Sequence, residues 1–596
     1  MAKAQTQRAA AWPVLPWLAH YRRRWLRADL VAGLTSWALV VPQAVAYGQI
    51  AGLAPPAGLA AAFAGPLGYS LLGTSRQLMV SPTSSTAAIS AAIVGTMAAG
   101  DPVRFVALSA TLALVIGATF ALLGLFRLGF VSQFLAFSVQ TGFMFGLGLT
   151  IAVGQLPKVL GISAPTDESF LPGLAHLLTH LGETNGWTAL LGLGGLGAMV
   201  LLNRYAPRLP AALAVVAAGT ALTALLDLTA RGVATVGAIP AGLPPPAIPD
   251  VSVSDVLALV PVAVVMAVLG YAESASVAQD LATRHGYDVD PDRELLAIGA
   301  ANGLAGLLGG FMVAGGASQS AANDRAGART QAAGLLVAVL ALVTALFLTP
   351  LFFDLPEAVL GAIVLFAIMG FFRIGELRRI ARLRRDSFAG ALVTLIGVLV
   401  LGVLPGLILA VGLSIVNLLT RAARPGCSLI GRATAEGAPA DGAPPAVYGD
   451  LTQNAALRPV PGLLIVRPNA PLFFGNVRAV RQQVLDLARH GGAPAGAGPL
   501  PDAPHGPPER AVLLDLQMSP NMDVETADTL AQLRTALAGE GRTLWLGGVH
   551  DSGRTLLLRA GYAATLAEGR IFPDAASAVH AFEHRPAPAP AGHVEQ

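Results

Sequence analysis

The chain has 596 residues, of which 54% are hydrophobic and only 12% charged, and its mean hydropathy is +0.63. Soluble domains carry about 25% charged residues, so this chain cannot coat several water-soluble domains, and most of its surface is expected to face lipid. A net charge of +3 does not argue for nucleic acid, because the arginines fall in short clusters between apolar runs and form no basic face with interleaved aromatics.

Residues 1–28 read as a cytoplasmic N-terminal segment carrying Arg22, Arg23, Arg24 and Arg27. The apolar stretch that follows is too long for a signal-peptide core and lacks a cleavage site, so no cleavable leader is expected. From 29 to 425 the chain is a nearly unbroken series of apolar segments, which reads as about fourteen transmembrane spans of roughly 17–25 residues, some shorter. They cover 29–50, 57–74, 83–99, 103–126, 131–155, 186–203, 209–227, 252–281, 293–309, 317–325, 328–349, 356–372, 387–402 and 405–422. The third and tenth are broken at their starts by Gly, Pro or Ser and are too polar there to cross lipid alone. Basic residues gather after even-numbered spans, at Arg76, Arg127, Arg204, Arg208, Arg284, Arg325, Arg329 and the cluster Arg373 to Arg385. By the positive-inside rule both termini are therefore expected in the cytoplasm, in a multi-pass protein of the cell membrane.

Residues 426–455 are rich in Ala, Gly and Pro and read as a linker. Strands expected at 463–467, 471–474, 511–516 and 543–547 then alternate with helices at 477–490, 524–538, 551–560 and 573–583, giving a small cytoplasmic α/β domain over 456–586. A Gly/Pro stretch at 491–508 reads as a disordered insertion, and 587–596 as a tail.

Two interruptions carry the strongest chemical signal. Ser81-Pro82-Thr83-Ser84-Ser85-Thr86 opens the third span and Gly315-Gly316-Ala317-Ser318-Gln319-Ser320 opens the tenth. They hold matching places in two halves of seven spans, as in an inverted repeat. A helix that starts at mid-membrane leaves its first N–H groups unpaired and its positive dipole end exposed, and two such ends facing each other can bind an anion. Close packing through small residues is the competing reading. In the first span Gln43 and Tyr47 are four apart on one helix face, where a ligand or an interhelical partner would satisfy them. Glu273 lies deep in the eighth span, where an acid costs roughly 2.5–3.5 kcal/mol on insertion scales. Apolar surroundings disfavour a carboxylate, which makes Glu273 the candidate proton carrier; satisfaction by nearby serines is the alternative.

Other signals are rejected. Gly192 to Gly197 matches G-x-G-x-x-G but lies within an apolar span and reads as packing glycine. A single cysteine, Cys427, excludes an internal disulfide or a cysteine-based zinc site, and the ten histidines show no metal-ligand spacing. No metal, cofactor or catalytic triad is expected, and the chain does not read as an enzyme.

The stretches Pro42 to Tyr47, Gly52 to Leu59, Gly73 to Gln77, Ser81 to Thr83, Gly270 to Glu273, Glu294 to Asn302, Ser318 to Asn323, Ala326 to Thr330 and Leu348 to Pro350 together resemble the SulP sulfate-permease family, solute carrier family 26. The C-terminal domain is similar, more weakly, to that family's STAS domain. The resemblance implies a polytopic α-helical protein with a seven-plus-seven inverted repeat, a core and a gate domain, a homodimer, and secondary transport of small inorganic anions. It places substrate binding at Gln43, Tyr47, Thr83, Ser84, Ser318, Gln319 and Ser320, and proton coupling at Glu273. Sulfate with a proton is the expected cargo. Bicarbonate, a C4-dicarboxylate or an uncoupled chloride channel are the alternatives, and a cytoplasmic protein is an expected partner of the STAS domain.

The sequence departs from the family at three places. Gln319 stands where members commonly have Arg, so Glu273 is expected to lack a cationic neighbour and to need a proton before an anion enters. Val277 stands where sodium-coupled members have Thr, which argues against sodium. Asp523 is followed by Val524 rather than a phosphorylatable Ser or Thr, with Thr526 a poor substitute, which argues against a phospho-switch.

Overall fold

A computed structural model describes residues 15, 17–18, 21–130, 136–163, 169–206, 210–433, 447–454, 456–490, 510–562 and 569–584. The chain divides into two compact units, Met1–Ile415 and Val416–Gln596.

In the first unit, α1 (Leu26–Ile50), α2 (Pro55–Leu72), α3 (Ser84–Ala98) and α4 (Pro102–Leu125) are followed by α5 (Phe137–Leu160), α6 (Phe170–Thr179), α7 (Gly186–Tyr205) and α8 (Ala211–Leu225). The second half runs through α9 (Val253–His285), α10 (Pro291–Leu307), α11 (Ala317–Arg325), α12 (Ala332–Val343), α13 (Glu357–Ile368), α14 (Ile374–Leu383), α15 (Arg385–Leu401) and α16 (Val403–Ala423). Each expected span has a helix in its place. Eight helices among the described residues are long and apolar enough to cross a membrane by themselves. Helices α3 and α11 are too short, and each is preceded by a two-residue strand, β1 (Val80–Ser81) and β2 (Ala314–Gly315). The strands pair antiparallel, Val80 with Gly315 and Ser81 with Ala314. Extended backbone inside a membrane needs such a partner, because its N–H and C=O groups have no water to bond.

Helices α1–α4 and α9–α12 pack chiefly with one another, and α5, α7, α8, α13 and α15 form a second bundle, with α16 close to α15 at Gly397 and Gly406; these are the expected core and gate. Helix α1 is buried on every side from Val40 to Gly48, so it lacks the one-sided apolar stripe of a surface helix. Gly58 of α2 lies so close to α1 that a Cβ there would collide with the Ala44 carbonyl oxygen, which is why the small residues around Gln43 and Tyr47 are needed. Two buried carboxylates knit the core together. Glu294 accepts from Tyr69 Oη (2.6 Å), Thr74 N and Oγ1 (both 2.7 Å) and Ser75 N, and Asp29 accepts from Arg329 N and from Thr330 N and Oγ1.

Two helices lie outside the expected spans. The short α6 and α14 each fall between the fifth and sixth segments of their half, and both carry polar and apolar residues on opposite faces. They were illegible to a search for continuous apolar runs, because an interfacial helix is apolar on one side only.

The second unit holds β3 (Cys427–Ala433), β4 (Tyr448–Asp450), β5 (Leu457–Arg458), β6 (Leu463–Pro468), β7 (Ala511–Asp515) and β8 (Thr543–Gly547), with α17 (Val477–Arg489), α18 (Val524–Gly539), α19 (Asp551–Arg559) and α20 (Ala575–Glu583). The sheet order is β4-β3-β6-β7-β8, with β5 also paired to β3. Strands β6, β7 and β8 are parallel and β3 antiparallel to β6. Strand β7 is buried along its whole length, as expected of a parallel strand covered on both faces. Helices α17 and α18 cover one face, and α20 covers the other around Trp545.

Two expectations are corrected here. The segment 426–455 is not simply a linker, since β3 and β4 lie in it and β3 is hydrogen-bonded to β6; its middle, 434–446, lies outside the described residues. Residues 471–474 are not a strand. Pro471 offers no N–H for a ladder, and the Phe473 carbonyl instead accepts from Asn476 N and Val477 N to start α17. The expected insertion at 491–508 also lies outside the described residues.

Candidate functional site

The starts of α3 and α11 meet beside α1 and α9, and together they line a cavity of about 420 Å³. That is within the range of small-molecule sites, roughly 300–1,000 Å³. From the core bundle come Tyr47 of α1, Thr83 and Ser84 at the start of α3, Glu273 of α9, and Gly316 to Gln319 at the start of α11. From the second bundle come Phe137, Gln140, Thr141 and Met144 of α5, Ala367 of α13, and Gly370, Phe371 and Arg373 just after it. The cavity therefore lies between the two bundles.

The two helix starts are not equivalent. Thr83 caps α3: its Oγ1 accepts from Thr86 N (3.2 Å), and Thr83 N donates in return to Thr86 Oγ1 (3.3 Å). Helix α11 starts at Gly316 with no side-chain cap, and its first residues, Gly316 to Gln319, line the cavity. A Cβ at Gly316 would strike the Gln319 carboxamide oxygen, so glycine here leaves that side chain its place.

Gln319 is held from several sides. Its Nε2 donates to Gln43 Oε1 (2.9 Å) and, more weakly, to the Pro82 carbonyl (3.4 Å), while its Oε1 accepts from Ser318 Oγ (3.1 Å). Gln43 thus ties α1 to α11 through Gln319 rather than lining the cavity itself. Ser320 is turned away: its Oγ accepts from Met79 N (2.9 Å) and fixes α11 to the β1 segment. Of the eight residues singled out from sequence, Tyr47, Thr83, Ser84, Ser318, Gln319 and Glu273 line the cavity, and Gln43 and Ser320 support it.

Glu273 is half-buried, and its Oε2 accepts from Ser85 Oγ (3.1 Å). The expectation that it lacks a cationic neighbour does not hold, because Arg373 lines the same cavity. Glu273 and Arg373 are the charged side chains among its described lining residues. By sequence alone Arg373 groups with the basic loop residues that follow it. A signal was present: Arg373 adjoins the apolar run of α13, five positions ahead of Arg378. Gln140 and Thr141 were also overlooked, although a polar pair inside an apolar span is itself a signal. Val277 lines the cavity and offers no hydroxyl, and Ser276 Oγ is occupied by the Ala272 carbonyl (2.6 Å).

Discontinuous helices meeting at a cavity between two bundles define a multi-pass membrane transporter. The model of the sulfate permease family matches residues 26–396, and that of the STAS domain matches 454–578. The chain belongs to the sulfate permease family, and it is a transporter rather than an enzyme. It is 37% identical over 583 residues to a probable sulfate transporter of Mycobacterium tuberculosis, covering 97% of this chain and 100% of that protein. It is 31% identical to probable sulfate transporter 3.3 of Arabidopsis thaliana, over 78% of this chain and 74% of the other. Among solved structures, murine solute carrier 26 family member A9, an anion transporter in the inward-facing state, has the same fold with a TM-score of 0.82 at 22% identity, over 98% and 97% of the two chains. The transmembrane domain of the cyanobacterial bicarbonate transporter BicA aligns with a TM-score of 0.58 at 26% identity, over 66% of this chain and 99% of that one.

Proposed function

We propose that this chain is a secondary active transporter of small inorganic anions in the cell membrane, that sulfate is its first substrate, and that a proton on Glu273 moves with it. The observation that carries this reading is the uncapped start of α11, open to the same cavity as Arg373. A helix N-terminus contributes up to roughly 2 kcal/mol toward a partly buried anion. The names of the mycobacterial and plant relatives support sulfate as the cargo. We place both termini in the cytoplasm and the working unit as a homodimer.

Glu273 faces Ser85, Tyr47 and Arg373. With Glu273 ionised, its charge opposes that of Arg373 and repels an entering anion. With a proton on it, the positive end of α11 and Arg373 act unopposed. Uptake should therefore rise as the pH on the loading side falls.

The test is labelled sulfate uptake into proteoliposomes with and without an inward proton gradient. Saturable uptake stimulated by the gradient is expected, with the stimulation lost in Glu273→Gln. Uptake that never saturates and shows no counterflow would instead mean a channel. A second reading, bicarbonate transport or exchange, is favoured by the likeness to the bicarbonate transporter domain. It predicts saturable bicarbonate uptake where sulfate gives none; a C4-dicarboxylate is tested in the same way.

A further inference from the structure

We propose that Arg373 supplies the positive charge for the transported anion, and that it does so from the wall opposite the helix starts, so that the anion is held between the two bundles. This rests on the anion reading above. Gln319 cannot provide the charge: its carboxamide is neutral and is committed to Gln43, Pro82 and Ser318. The start of α11 provides N–H groups but no full charge. Across the cavity, Arg373 follows the turn Met369–Phe371 that closes α13, and its side chain is exposed to the cavity mouth.

The neighbouring arginines are engaged differently. Arg379 pairs with Glu376 and Arg384 with Asp386, whereas Arg373 is the arginine among the described residues that lines the cavity. An arginine fork matches the oxygens of a tetrahedral oxyanion better than any other side chain.

The placement has a consequence for transport. A cation on α11 would travel with the helix starts, and the anion would stay equally attracted wherever they moved. A cation on the second bundle attracts the anion fully only while both walls face one cavity. When the bundles shift, α11 and Arg373 separate and the anion is released. Affinity is thereby tied to conformation through one side chain.

The test uses labelled sulfate uptake into proteoliposomes. Arg373→Gln should raise the half-saturation concentration at least ten-fold, and Gln319→Arg added to it should recover most of that loss by returning the charge to α11. As a check independent of folding, Arg373→Cys in a Cys427→Ser background should bind sulfate more tightly after reaction with a cationic thiol reagent and not after a neutral one of similar size. Half-saturation unchanged in Arg373→Gln, or cationic and neutral reagents acting alike, would overturn the inference. Wild-type protein that takes up no sulfate would instead remove the anion reading on which it rests.

Discussion

At the scale of single residues, the site depends on small groups that hold larger ones in place. Gly316 leaves room for the Gln319 carboxamide. In Gly316→Ala the methyl group must displace that flexible side chain, and the bond to Gln43 is lost with it. A net hydrogen bond within the protein contributes about 1 kcal/mol of stability, small for so large a chain, so the thermal unfolding midpoint should stay near wild type while half-saturation for sulfate rises as Gln319 leaves its place. Glu294 is the opposite case. It lies outside the cavity and serves four donors, and each buried group left without a partner costs about 1–3 kcal/mol. Glu294→Ala should lower the unfolding midpoint sharply, whereas Glu294→Gln keeps an acceptor and should lose less; unfolding of the purified protein followed by tryptophan fluorescence separates them.

At the scale of elements, long apolar helices were the most legible part of the sequence, because crossing lipid demands a length and composition that little else produces. The interrupted helices were legible too, since Ser81 to Thr86 and Gly315 to Ser320 break an apolar pattern in the same way at matching places. Hydrogen-bond direction was not legible: nothing in the sequence tells that Ser318 lines the cavity while Ser320, two positions on, serves Met79 N. Arg373 was hidden for a related reason, since a charge counted by loop gives orientation and not the wall it faces. Strand β3 escaped notice because it lies next to a run of Ala, Gly and Pro.

In the STAS unit the cap of α18 is a further test. Asp523 accepts from Thr526 N (2.8 Å), Thr526 Oγ1 (2.5 Å) and Phe474 N (2.6 Å). Burial alone would push its carboxyl up, but these donors hold it below the ordinary aspartate value. The folded value is depressed, so its stabilising effect is present above the unfolded aspartate value and is lost as pH falls through the folded one. Asp523→Ala should cost about 1 kcal/mol at neutral pH and much less in acid, measured by amide exchange at Thr526 and Phe474. Thr526 is buried and gives its hydroxyl to Asp523, which leaves it poorly placed to be phosphorylated.

At the scale of the whole molecule, one unit carries the cavity and the other a sheet of its own, and each can be probed separately. Cys427, the one cysteine, lies in β3, where burial pushes its thiol up to about 11. Thiolates, not thiols, react, so the wild-type chain should label slowly with iodoacetamide at pH 7, with a rate that rises about ten-fold per pH unit through the mildly alkaline range. That quiet background allows the central claim, that the anion sits between the start of α11 and the second bundle, to be tested directly. Ala317 lines the cavity and is exposed to it. The measurement is the rate at which Ala317→Cys, in a Cys427→Ser background, reacts with a small thiol reagent as sulfate is added. Sulfate should slow the reaction saturably, with a midpoint matching the half-saturation of uptake by the same variant. A rate unchanged by sulfate at concentrations that saturate its uptake would place the anion elsewhere and contradict the account.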